Sequence, residues 1–131
     1  MCGITGYVNL TKDISKSQNI ITNMNETLKK RGPDEDGYYY EKHVALGHKR
    51  LIIVDPNGGK QPMTAIHNNC KYTIVYNGQL YNTSDLRDEL IENGFSFETY
   101  SDTEVLLKSY ILWGYDTPKK LNGIFGFAIW D

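Results

Sequence analysis

The sequence predicts an α+β fold with largely antiparallel sheets, and three observations carry that expectation. Strand-like segments come as hairpin-like pairs, with Tyr38–Glu41 and Val44–Leu51 flanking a turn near Lys42, more than in the strand–helix–strand alternation of a parallel sheet. Helical segments interrupt the strands, each bounded by its own cap or glycine stop. The chain has 131 residues, 40% hydrophobic and 12% aromatic, which suits one globular domain or part of one.

Taken in order, Gly3–Leu10 reads as a short buried strand and Asp13–Gln18 as a polar loop. Ile20, Ile21, Met24 and Leu28 recur at helical spacing, so an amphipathic helix is expected from Gln18 to about Lys30, stopped by Gly32-Pro33. The strand pair follows, then a Pro56-Asn57-Gly58-Gly59 loop. Tyr72–Tyr76 alternates as a strand and ends at Asn77-Gly78, a hairpin-turn dipeptide. Ser84 is positioned to cap a second helix, with Leu86, Leu90 and Ile91 inward and Gly94 at the stop. Ser101-Asp102-Thr103-Glu104 has the form of a capping box ahead of Val105-Leu106-Leu107. That third helix carries Tyr110 and Ile111 on its apolar side and ends near Gly114. Ile124–Trp130 is apolar and broken by Gly126, which predicts a buried strand. Such a strand calls for neighbours on both sides, yet Asp131 follows it at once, so a piece of a larger protein, truncated at its C-terminal end, is expected.

The net charge of −2 leaves no basic surplus for a phosphate backbone, which argues against a nucleic-acid partner. No apolar run approaches the roughly 20 residues of a membrane span, and the first residues lack the pattern of a signal peptide, so no membrane partner is expected. The two cysteines, Cys2 and Cys70, then read as reduced thiols of a cytoplasmic protein.

Cys2 stands directly behind Met1. Once Met1 is removed, a thiol and a free α-amino group share one residue. An α-amine titrates near 7.7–8.0, so close to neutrality part of it can accept the thiol proton, giving a one-residue nucleophile–base pair. Acyl transfer also needs donors aimed at the developing oxyanion, and Asn77-Gly78 offers a side-chain amide and an unhindered backbone N–H. Arg50 can grip a carboxylate and Asp102 an ammonium, the two charges of a free amino acid. Each feature also has an ordinary meaning: a hairpin turn at Asn77-Gly78, a surface ion pair for Arg50, a helix-end charge for Asp102.

Taken together, several stretches resemble one family in the family's own order. They are Met1-Cys2-Gly3-Ile4 with Gly6; Arg31-Gly32-Pro33-Asp34 with Gly37; Gly47-His48-Lys49-Arg50-Leu51 with Ile53-Val54-Asp55; Gln61-Pro62-Met63; Tyr76 to Asn82; Ser101 to Glu104; and Leu121 to Asp131. The chain resembles the glutaminase domain of class II glutamine amidotransferases, most of all that of glutamine-hydrolysing asparagine synthetases. The resemblance implies an Ntn-hydrolase (N-terminal-nucleophile) αββα sandwich, with residues 1–131 as the N-terminal part of the glutaminase domain and the synthetase domain absent. It implies Cys2 as nucleophile and Asn77 with Gly78 as oxyanion hole. It further implies a glutamine pocket made by Arg50, by backbone groups of Leu51, Ile52, Ile53 and Val54, and by Asn77, Gly78, Gln79 and Asp102. No metal or organic cofactor is implied for glutamine hydrolysis; ATP and magnesium belong to the missing synthetase domain, which would accept the ammonia. Ile52 stands where the family usually has serine, and Gln79-Leu80 where it usually has glutamate and isoleucine. Lys49 and Gly126 are also atypical.

Other readings compete. Cys2 or Cys70 could pair with His48, less readily with His43 or His67, as a papain-like thiol hydrolase. The chain could be an inactive fragment or interaction module, or serve an amidotransferase with a different acceptor. Cys70 reads as a bystander in a polar loop, and a sheet edge left exposed by truncation predicts a homodimer.

Overall fold

The computed structural model describes residues 1–131 as two three-stranded antiparallel sheets with helices against their outer faces. Strands β1 (Gly3–Val8), β2 (Glu35–Tyr40) and β3 (Val44–Arg50) form the first sheet, in the order β1-β3-β2. Strands β4 (Met63–His67), β5 (Cys70–Leu80) and β6 (Gly123–Trp130) form the second, in the order β4-β5-β6. Helix α1 (Gln18–Glu26) packs on β1 and β3; α3 (Asp102–Trp113) packs on β5 and β4, with α2 (Thr83–Glu92) alongside it. A single 3₁₀ turn and the short α4 (Thr117–Lys120) lead into β6.

Strand β3 shows why the layers stack. All 7 of its residues are buried, because it is a central strand covered on both faces. Ala45 packs with Ile14 and Ile21 in the α1 layer, while Val44 and Leu46 pack on Val75 of the second sheet. On the far face of that sheet, Ile74, Tyr76 and Leu80 join Leu86, Leu90, Val105, Leu106 and Leu107 in the largest core cluster. Alternation along β3 and β5 thus sends successive side chains into different layers.

Several elements differ from the sequence reading. The α1 helix ends at Glu26, because the Thr27, Leu28 and Lys29 amides bond to carbonyls three residues back, so the chain coils on toward Arg31 as turns. Strand β2 begins three residues earlier than expected, at Glu35. Strand β4 was not anticipated; it is a short edge strand whose pattern is partly polar. The hairpin turn lies at Asn68-Asn69, both with left-handed φ (49° and 63°), and not at Asn77-Gly78. Asn77 and Gly78 lie inside β5, paired with Gly126 and Phe125. A Cβ on Gly78 would sit 2.3 Å from the Ile124 carbonyl oxygen and 2.7 Å from the Phe125 Cα, so this glycine serves close strand approach instead of a turn.

Cys70 is the first residue of β5, exposed at the hairpin, not a loop residue. Asn82, not Ser84, precedes α2, and its side chain binds the Lys120 carbonyl and the Asn122 amide, joining α2 to the approach to β6. Ile91 is 52% exposed, turned off the core that Leu86 and Leu90 enter. Strand β6 is an edge strand rather than a buried one: Phe125, Phe127 and Ile129 pack on the helix-side core, and only β5 pairs with it. Ser101 accepts from the Glu104 amide at 3.3 Å as expected, but the Glu104 carboxylate turns to the Glu98 and Thr99 amides. Gly114 ends α3 at φ 56°. No helix is long and apolar enough to cross a membrane.

Candidate active site

Cys2 lies just ahead of β1, opposite the end of β3. Its Sγ accepts a hydrogen bond from the Leu51 amide at 3.3 Å and faces the Leu51 carbonyl at 3.6 Å. Arg31 Nε donates to the Cys2 carbonyl at 3.1 Å. Gly32 lets this segment lie flat on β3, since a Cβ there would stand 2.2 Å from the Lys49 carbonyl oxygen. The Leu51 backbone therefore holds the thiol, while the Arg31 side chain holds the Cys2 carbonyl, so two distant parts of the chain fix this residue.

It opens into a cavity between the end of the first sheet, the end of β5 and the start of α3. Cys2, Arg50, Leu51, Ile53, Val54, Asn77, Gly78, Gln79 and Asp102 all line it. Ile52 does not; it is 38% exposed, and its amide donates to Asp34 Oδ2 at 2.8 Å, which fixes the Leu51–Val54 segment from outside. Gln61, Tyr76, Tyr81, Thr103 and Ile124 also line the cavity and were not singled out from sequence. All five lie within the family-like stretches, but nothing local distinguishes them from core or surface residues.

Arg50 and Asp102 are the only charged side chains on the lining. Arg50 is 4% exposed, so it is no surface ion pair. Its Nη1 donates to Glu35 Oε2 at 2.9 Å and to the Pro56 carbonyl at 3.1 Å. Its Nη2 donates to the Asp55 carbonyl at 2.6 Å and, weakly, to that of Val54 at 3.5 Å. Nε–H, with no acceptor in the chain, and the Val54 edge are what remain for a ligand. Asp55, at φ 49°, binds the Gly58 amide with Oδ1 and the Tyr100 amide with Oδ2, tying this loop to the start of α3. Asp102 Oδ2 accepts from the Tyr76 hydroxyl at 2.7 Å and from the Leu80 amide at 3.4 Å.

The histidines are employed elsewhere. His48 is 1% exposed between the sheets, with Nε2 3.1 Å from the Tyr76 carbonyl; burial pushes its pKa down to about 4. His43 Nδ1 binds the Asn9 carbonyl, and His67 stacks on Phe95. No hydrogen bond joins either cysteine to a histidine, so the papain-like reading lacks its geometry.

A family model described as a glutamine amidotransferase domain matches residues 1–131. The chain belongs to the glutamine amidotransferase domain family. Among curated relatives, this amidotransferase domain is 53% identical over 131 residues to asparagine synthetase [glutamine-hydrolyzing] 3 of Bacillus subtilis, covering all of this chain and 21% of that protein. It is 35% identical over 132 residues to asparagine synthetase B [glutamine-hydrolyzing] of Escherichia coli, covering 23% of it. Among solved structures, it matches glutamine phosphoribosylpyrophosphate amidotransferase from B. subtilis with TM-score 0.59 and 28% identity, over 69% of this chain and 21% of that one. The allosteric regulatory enzyme of purine biosynthesis matches with TM-score 0.57 and 29% identity, over 69% and 22%. These are the antiparallel-sheet architectures of Ntn-hydrolase amidotransferases. The chain spans between a fifth and a quarter of the length of these relatives.

Proposed function

We propose that this domain hydrolyses the side-chain amide of glutamine to glutamate and ammonia. One observation carries the reading: the Cys2 thiol, one residue behind Met1, shares a cavity with one cation, one carboxylate and the Asn77-Gly78 pair. Met1 is 59% exposed and open to an aminopeptidase, whose action would free the Cys2 α-amine. That amine takes the thiol proton, and Sγ attacks the amide carbon. The Asn77 side chain and the Gly78 N–H bear the oxyanion. The C–N bond breaks as the α-ammonium returns the proton, ammonia leaves, and a γ-glutamyl thioester remains. Water, deprotonated by the same amine, cleaves the thioester to glutamate and regenerates the thiol. Asp102 receives the substrate α-ammonium. The Arg50 charge, with Nε–H, faces the α-carboxylate, and Leu51–Val54 with Gln79 close the pocket. The 53% identity to an asparagine synthetase favours ammonia transfer to aspartate over another acceptor.

In the full-length protein that transfer requires a synthetase domain in cis, using ATP with magnesium. The Gly58 and Gly59 amides are already bonded to Asp55, so neither is free to cradle a phosphate. Two unpaired cysteines fit a cytoplasmic setting, and light scattering of the full-length protein tests whether two copies pair. The primary test is intact mass before and after an electrophilic glutamine analogue. The expected result is loss of Met1 and one adduct on Cys2, blocked by glutamine and absent in Cys2→Ala. A processed protein that takes no adduct and releases no ammonia would overturn the reading.

A further inference from the structure

Asp102 is the only carboxylate on the cavity lining, so recognition of a substrate ammonium falls on it alone. Gln79, which also lines the cavity, is neutral. An aspartate side chain turns about two bonds, and at the first position of α3 it could swing to solvent or back onto the helix N-terminus. Here it is held. The Tyr76 hydroxyl and the Leu80 amide both bind Oδ2, and Oδ1 makes no hydrogen bond within the chain. One oxygen is anchored and the other is left for a ligand.

We propose that Tyr76 is the positioning residue for α-ammonium recognition: its hydroxyl, 2.7 Å from Asp102 Oδ2, aims Oδ1 into the cavity and makes the site selective for α-amino acid amides. This rests on the glutaminase reading above. The tyrosine is itself fixed by its backbone. Its amide donates to Gln61 Oε1 at 2.6 Å, and its carbonyl is bound by His48 at 3.1 Å. Gln61 Nε2 in turn donates to Thr103 Oγ1 at 3.2 Å, so β5 is joined to the start of α3 at Thr103 as well as at Asp102. Tyr76 is 2% exposed, and burial together with the Asp102 charge pushes the phenol well above its ordinary value. It is thus a neutral donor to the Asp102 carboxylate and places no second negative charge beside it. A backbone amide alone, at 3.4 Å, would not hold the carboxylate against rotation.

The test compares glutamine with glutaramic acid, the same amide lacking the α-ammonium, as substrates of the full-length protein. Tyr76→Phe removes one oxygen and keeps the ring in the core. For glutamine, KM is expected to rise about tenfold with kcat within about twofold, the scale of one hydrogen bond to a charged group. For glutaramic acid neither constant moves, so the preference for the α-amino substrate falls by the same factor. In an Asp102→Asn background, Tyr76→Phe adds nothing further. A rise in KM of equal size for both substrates, or a fall in kcat alone, would overturn the proposal and leave Tyr76 a packing residue. Where the variant is too unstable to assay, isotope-labelled tyrosine in the wild-type protein decides. The Tyr76 ring signal shifts on adding glutamine and not glutaramic acid if the proposal holds, and responds alike to both if it does not. Wild-type protein that hydrolyses neither compound refutes the glutaminase reading itself, an outcome distinct from equal KM effects.

Discussion

Glu104 offers a direct measure of how the start of α3, and Asp102 with it, is held. Its side chain is buried, 5% exposed as a residue, and accepts from the Glu98 amide at 3.0 Å, the Thr99 amide at 2.7 Å and the Thr99 hydroxyl at 2.6 Å. Lys108, one turn along the helix, supplies the charge partner. Removing the carboxylate leaves the two amides without their acceptor and the Lys108 ammonium without its counter-charge, with only the Ser96 carbonyl still bonded to it. Breaking such a buried pair costs about 3–5 kcal/mol, a large part of the 5–15 kcal/mol that typically holds a domain. Glu104→Ala is therefore expected to lower Tm by roughly 10 °C or more. Glu104→Gln keeps one acceptor oxygen but turns an NH₂ toward amide donors, and should cost about half as much. Burial alone would raise the Glu104 pKa, but the bonds to Lys108, Thr99 and Glu98 outweigh it and hold the value below 4.5. The sign follows from the lowered value. The contribution is fully present above 4.5, the unfolded value, and is lost as pH falls through the folded one. Urea titrations followed by tryptophan fluorescence, across a pH series, measure both effects. The wild-type advantage over Glu104→Gln should be flat at neutral pH and shrink in acid. A Glu104→Ala variant within about 1 kcal/mol of wild type at neutral pH would show that this carboxylate does not hold the start of α3.

Two further expectations rest on other parts of the molecule. Because burial lowers the His48 pKa from 6.5 to about 4, the unfolded chain binds a proton there first, so stability is complete above 6.5 and declines on acidification toward about 4. His48→Gln should flatten that stretch of the stability profile by on the order of 3 kcal/mol, and an unchanged profile would show that His48 does not drive it. Gly78→Ala drives a Cβ into backbone atoms of β6 and should part the two strands. An ammonia-release assay is expected to show about a hundredfold loss of glutaminase rate for a destabilisation of only about 1–3 kcal/mol, and near-normal turnover would mean that the close approach at Gly78 is not required.

Much of this protein was legible from local signals. The thiol behind Met1, the start of α1 at Gln18, the Ser101 cap and the Gly114 stop depend on neighbours within a turn or two and lie where the spacing put them; α1 itself stops at Glu26, short of the expected Lys30, and leaves Ile20 39% exposed. The motif residues were legible too, as a set. Their arrangement was not. Asn77-Gly78 has the composition of a turn, and only the pairing with β6 makes it strand. Strand β4 carries too weak a pattern to declare itself, since an edge strand needs few apolar residues. The burial of Arg50 among carbonyls of its own loop, the Leu51 amide on the Cys2 thiol, and the Tyr76–Asp102 bond join residues that periodicity cannot relate. Local sequence settled which chemical groups are present and where the three longer helices lie, because those depend on a few neighbouring residues; the cap of α2 at Asn82 and the short α4 did not declare themselves. Which groups meet in one cavity, and which of their atoms remain open to a substrate, depended on the stacking of two sheets, because that brings together segments far apart in the chain.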